Sequence, residues 1–175
     1  IDYCPRITVP QVRIACLRRK ATHGLDLVVI DYLQLITFVT RRGDDRNEAS
    51  RLAEVTRELK ILAGELMCPV VLLSQFNNGD GDDKRPSVKR LRGSGAIGQD
   101  ANAVLLLYRE PKQPAGPTEI VEMIIEKNRN GARGTIIPLT SEKALVRFID
   151  CGAEGAPVAT PARRAGRDPA HFGSG

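Results

Sequence analysis

The sequence predicts an α/β fold on a doubly wound, mostly parallel sheet, and three observations carry that expectation. The apolar run Leu25-Asp26-Leu27-Val28-Val29-Ile30 ends on the carboxylate of Asp31. A second run, Val70-Val71-Leu72-Leu73, ends on Ser74-Gln75. Continuous runs of β-branched residues and leucine read as parallel strands covered on both faces. Between them Leu52, Val55, Leu59, Leu62 and Leu66 recur at alternating steps of three and four, which is one buried face of an amphipathic helix.

Taken in order, the first element is a helix with Thr8 as N-cap and Pro10 in its first turn, running through Val12, Cys16 and Leu17 to a stop at Gly24. The Asp31 strand follows. Residues 38–48 form a charged loop expected to be mobile. The amphipathic helix occupies residues 48–67, and Pro69 starts the second strand. A long Asn/Gly/Asp loop over residues 76–86 leads to the stretch 88–95. Strand candidates lie at 103–108, 120–127 and 135–139, with 144–149 as a weaker fourth. A Pro-rich turn at 110–117 joins the first two of these. Residues 1–150 are read as one domain. Residues 151–175, rich in Ala, Gly, Pro and Arg without periodicity, are read as a disordered tail.

Composition narrows the function classes. The four cysteines are widely spaced with no C-x-x-C pair, and only two histidines accompany them, so neither a zinc site nor a disulfide framework is suggested. No apolar run approaches the roughly 18 residues of a membrane span, and no basic-then-apolar leader opens the chain; a cytoplasmic protein with no membrane partner is expected. The net charge of +5 is compatible with a polyanionic partner. With no tryptophan and few aromatic residues, contact with nucleic acid would run through phosphates rather than stacked bases.

Candidate site residues gather at strand ends. Ligands of open α/β sheets collect at the carboxyl ends of the strands, which places Asp31 where a magnesium-bound nucleotide would sit; the alternative is an aspartate capping the following turn. Gln75 ends the next strand in the same way, and ordinary hydrogen bonding is its alternative. Lys127 and Arg129 alternate at the end of a strand candidate, which would put both on one face. Beside Asn130-Gly131, a common turn, they also read as a solvated hairpin end.

Several segments together resemble a known family. Val29-Ile30-Asp31-Tyr32-Leu33-Gln34-Leu35, Thr56-Arg57-Glu58-Leu59-Lys60, Pro69-Val70-Val71-Leu72-Leu73-Ser74-Gln75, the stretch from Leu91 through Arg92-Gly93-Ser94-Gly95 to Ala101, and Lys127-Asn128-Arg129-Asn130-Gly131 look like the C-terminal RecA-like motor domain of DnaB-type replicative DNA helicases. The resemblance spans residues 1 to about 140 in the family's order. It implies a RecA-like fold and ATP with Mg2+ as cofactors. It also implies a hexameric ring that translocates on single-stranded DNA during replication, with primase and helicase loader as candidate partners.

In that resemblance Asp31 is the carboxylate that holds magnesium, and Gln75 is the polar sensor of γ-phosphate state. Lys127 and Arg129 are the basic pair presented to the neighbouring subunit's ATP, with Arg129 as the finger. The catalytic set is thus Asp31, Gln75 and Arg129. Arg92, Gly93, Ser94 and Gly95 resemble the channel loop that holds the DNA backbone, the glycines letting main-chain N–H groups approach phosphate. The chain departs from the family where Gly93 and Gly98 replace Glu and Asn102 replaces Asp, which implies a looser loop resting on Arg92 and backbone amides.

The phosphate-cradling pattern G-x-x-x-x-G-K-[ST] is absent, and no Gly-Lys dipeptide occurs. The chain also opens on Ile1 rather than Met. The expectation is therefore an N-terminally truncated motor domain that supplies part of an ATP site and does not hydrolyse ATP alone. The alternative is a non-catalytic remnant that binds DNA or regulates a helicase ring. The two are distinguished by whether a phosphate loop lies upstream in frame.

Overall fold

A computed structural model describes residues 2–38, 47–76, 85–91, 94–111, 113 and 116–151. The loop expected to be mobile, apart from its ends, and the tail beyond residue 151 lie outside the described residues, as do Arg92 and Gly93.

Helix α1 spans Val9–His23, with Thr8 at its N-cap and Pro10 in its first turn. The Thr8 amide donates to Gln11 Oε1 at 2.9 Å, satisfying a donor ahead of the helix. Gly24 ends it at φ +76°, a conformation open to glycine at little cost. Helix α2 runs Glu48–Leu66 and is capped by Asn47, whose side chain accepts from the Ser50 amide at 2.9 Å. All of the expected stripe, Leu52, Val55, Leu59, Leu62 and Leu66, is buried. Helix α1 contributes Val9 and Val12 to the same core. The two helices are also tied by an Arg13–Glu65 ion pair at 2.9 Å and by the Lys20 ammonium, which donates to the Leu66 carbonyl.

Strands β1 (Val28–Ile30) and β2 (Val70–Leu72) flank α2 in sequence and pair in parallel, Val28 with Val70 and Ile30 with Leu72. This is the strand–helix–strand order expected of an α/β protein. The remaining strands, β3 (Ala103–Arg109), β4 (Thr118–Asn128), β5 (Thr135–Glu142) and β6 (Arg147–Asp150), form an antiparallel meander in sequence order. The α/β class therefore holds, with parallel pairing confined among the described residues to β1 and β2. The expectation of a mostly parallel sheet is corrected to a mixed one. The connections after residue 103 are too short for parallel crossovers, which need a dozen or more residues.

The two faces of the sheets differ. Val28, Ile30, Leu72, Val104, Leu106 and Ile124 lie in or against the core under α2. The alternate positions point away from it: Val29 is 57% exposed, Val71 47%, Leu105 56% and Leu107 52%. Coverage on both faces, expected from the apolar runs, is seen on one among the described residues.

The far end of the meander is tied by charge. Glu119 pairs with Lys143 at 3.0 Å and Arg109 at 3.3 Å. The hydrogen-bonded Lys143 ammonium, and then Arg109, hold the Glu119 carboxyl below its ordinary value against some desolvation. A carboxyl whose folded pKa is depressed contributes stability above its unfolded pKa and loses it as pH falls through the folded one. Glu119→Gln is therefore expected to unfold at lower denaturant than the parent at neutral pH. That gap should close below about pH 4, as read from paired unfolding midpoints across an acid series. A gap independent of pH would assign Glu119 to packing.

Candidate nucleotide and DNA site

The parallel pairing of β1 and β2 fixes the first part of the site. Asp31 follows β1 directly, and Gln75 lies just past β2, so both leave the same end of the pair. Beyond the strands proper the backbone stays laced: the Leu73 amide donates to the Ile30 carbonyl at 3.0 Å, and the Leu33 amide to the Leu73 carbonyl at 2.8 Å. Gln34 Nε2 donates to Ser74 Oγ at 3.1 Å. Leu33, which is fully buried, and Ile36 anchor the segment after Asp31 in the core. Asp31 and Gln75 are exposed at this laced end.

Asp31 has no hydrogen-bond or ion-pair partner among the described residues. No cluster of three metal-binding side chains occurs there either. Magnesium is commonly held by one or two carboxylates together with waters and substrate phosphates, and a lone exposed carboxylate fits that mode.

An isolated bridge joins this end to the segment that leads into α3. Phe76, next to Gln75, forms an isolated antiparallel bridge with Leu91, next to Arg92. Leu91 is buried. Arg85 holds the returning segment in place: its guanidinium lies 5.4 Å from the Tyr108 ring centroid and 2.5 Å from Glu122 Oε2. Tyr108 and Glu122 face each other across β3 and β4.

Arg92 and Gly93 lie outside the described residues. Ser94 and Gly95, expected in the loop, instead open a short helix, α3 (Ser94–Asp100). The space where a Gly95 side chain would stand is open, so packing does not demand glycine there.

The other end of α3 is clamped. The buried Thr56 hydroxyl donates to Asp100 Oδ2 at 2.6 Å. Lys60 donates to Asn102 Oδ1. Sequence reasoning missed the Thr56–Asp100 pair; its one signal was Thr56, which sits on the same helical arc as Leu52, Val55 and Leu59, where a buried hydroxyl needs a partner.

Lys127 and Arg129 are placed differently from each other. Lys127 is partly buried and its ammonium donates to the Gly98 and Gln99 carbonyls at 2.7 and 3.2 Å. Arg129 lies past the end of β4, exposed, with its backbone amide donating to the Asn102 carbonyl at 2.9 Å. Asn128 Oδ1 accepts from the Asn130 amide at 3.2 Å and folds over Gly131, where a Cβ would meet Asn128 Nδ2 at 2.7 Å. A side chain at position 131 would make the Asn128 amide give way.

Residues 1–150 match the family model of the DnaB-like helicase C terminal domain. The chain belongs to the DnaB-like helicase C-terminal domain family. It is 43% identical over 154 residues to the replicative DNA helicase DnaC of Bacillus subtilis, which covers 86% of the chain and 33% of that protein. It is 42% identical over 140 residues to the replicative DNA helicase DnaB of Geobacillus stearothermophilus, covering 78% of the chain and 30% of that helicase. Among solved structures, a DnaB-like replicative helicase described with its interactions with primase superposes with a TM-score of 0.74 at 30% identity, over 86% of the chain and 36% of that protein. The DnaB-like chain thus spans about a third of the length of these relatives. No helix among its described residues is long and apolar enough to cross a membrane.

Proposed function

We propose that this chain works as the C-terminal part of an ATP-dependent replicative DNA helicase, a cytoplasmic hexameric ring that translocates on single-stranded DNA and unwinds duplex. The reading is carried by one observation: in a chain of the DnaB-like family, Asp31 and Gln75 leave the same end of a parallel strand pair, which the Phe76–Leu91 bridge ties to the segment before α3. Asp31 holds Mg2+, and Gln75 meets the γ-phosphate of ATP. When bound, the metal neutralises charge on the phosphates. Arg129, with Lys127 beside it, serves the nucleotide of the adjacent subunit. Arg92, Gly93, Ser94 and Gly95 hold the DNA backbone. The G-x-x-x-x-G-K-[ST] cradle is not in these 175 residues, so on this reading the chain alone does not turn over ATP. Primase, which the solved relative is described with, and a helicase loader are the partners this reading carries over.

A helicase polypeptide ending in this chain is expected to displace a strand from a forked duplex only with ATP and Mg2+. Failure to do so while it binds ATP and forms rings would end the reading in favour of a non-catalytic module. In the same protein Arg92→Ala should weaken single-strand binding and lower the salt slope by about one phosphate contact. An unchanged slope would place Arg92 away from the backbone.

A further inference from the structure

We propose that Gln34 is a positioning residue for Gln75: its side-chain amide holds Ser74, the residue before Gln75, against the segment that follows Asp31, and so keeps Gln75 in place beside the carboxylate. The proposal rests on the helicase reading for what Gln75 meets.

The platform that carries Gln34 is fixed. Gln34 lies in the middle of a single 3-10 turn, Leu33–Leu35, closed by the Leu35 amide on the Tyr32 carbonyl at 3.0 Å and the Ile36 amide on the Leu33 carbonyl at 3.1 Å. Leu33 and Ile36, on either side of it, are buried in the core. Ile36 also bridges in parallel to Ile7, and the Thr37 amide donates to the Ile7 carbonyl at 2.8 Å.

From that platform the side chain reaches across to the β2 segment. Backbone rungs join the two segments as far as Leu73, and one residue on, Gln34 Nε2 donates to Ser74 Oγ at 3.1 Å. On the other side of Gln75, Phe76 bridges to Leu91. Gln75 is therefore exposed between two tied neighbours. Because Leu33 and Ile36 anchor the platform, loss of the Gln34 bond frees Ser74 and Gln75 rather than Asp31.

The residue type argues against packing alone. Gln34 Oε1 is buried and has no hydrogen-bond partner among the described residues. Burying an unpaired acceptor is costly, and an apolar side chain of the same length would fill the space without that cost. What the amide alone supplies is the bond to Ser74.

The test uses a helicase polypeptide ending in this chain. Gln34→Met keeps the length of the side chain and removes the bond from one side; Ser74→Ala removes it from the other. Steady-state ATP hydrolysis with oligo-dT gives kcat, KM and the Mg2+ requirement. Amide hydrogen exchange is followed without nucleotide in peptides covering residues 70–76 and in α2. Each variant should lower kcat about fivefold, the worth of one neutral hydrogen bond, with KM for ATP and the half-saturating Mg2+ concentration at the parent values. The double variant should be no slower than either single one, as residues acting through one shared bond require. Exchange over 70–76 should speed in both variants while α2 keeps the parent rate, which excludes general unfolding.

Parent-like kcat or parent-like exchange in Gln34→Met would overturn the proposal, as would additive losses in the double variant. A raised Mg2+ requirement would also overturn it, by assigning Gln34 to Asp31 instead. Failure of the helicase reading is separately visible as a parent without ATP-dependent strand displacement, whereas the exchange comparison reports on the Gln34–Ser74 tie without nucleotide.

Discussion

Arg129→Ala, in a helicase polypeptide ending in this chain, is expected to bind ATP and lose its hydrolysis by about 10³-fold or more, the contribution of an arginine finger. The structure makes this substitution a clean probe. The Arg129 side chain is exposed, and the turn that carries it is held by the Arg129 amide on Asn102 and by Asn128 on the Asn130 amide. None of those bonds uses the guanidinium, so alanine removes the charge and leaves the hairpin in place. Asp31→Ala is expected to abolish turnover through lost magnesium positioning. Mixing the two mutants regenerates some interfaces in which an intact Asp31 faces an intact Arg129. ATPase activity should therefore partly recover on mixing, though each mutant alone is inactive. No recovery in rings shown to be mixed would mean that Arg129 acts within its own subunit.

The second large effect is on stability. Leu66 is fully buried at the end of α2, and its carbonyl accepts from Lys20 of α1. Leu66→Ala should cost about 2–5 kcal/mol through lost transfer free energy and the cavity left behind, a large part of the roughly 5–15 kcal/mol that holds a typical domain folded. Ile61 on the same helix is 55% exposed, and Ile61→Ala should stay within about 0.5 kcal/mol of the parent. Chemical denaturation of the three chains gives the comparison. Equal losses at both positions would mean that α2 does not bury the face described.

What could be read beforehand follows from how local the causes are. The α2 stripe was legible to the residue because a helix repeats its buried face every few positions. The start and stop of α1 were legible because Thr8, Pro10 and Gly24 act on backbone groups beside them. The antiparallel meander was underread. Its short turns allow no crossover, yet two long apolar runs dominated the expectation. Asp31 and Gln75 were legible as site candidates because parallel strands ending on polar residues bring those ends together. The separate placement of Lys127 and Arg129 was not legible. β4 stops at Asn128, so Arg129 lies past its end and outside the alternation that places Lys127, and no residue there marks the stop. Strict alternation, assumed across the strand end, gave the pair a common face.

The Phe76–Leu91 bridge has a consequence for chain length. Because the rung and the Arg85 contacts fix Phe76 and Leu91 in place, the spacing of Gln75 and Leu91 is set by those contacts and not by the number of residues between them. Residues added between positions 77 and 84 should therefore leave that spacing unchanged, whereas one residue inserted between Gln75 and Phe76 would shift Gln75 relative to the rung.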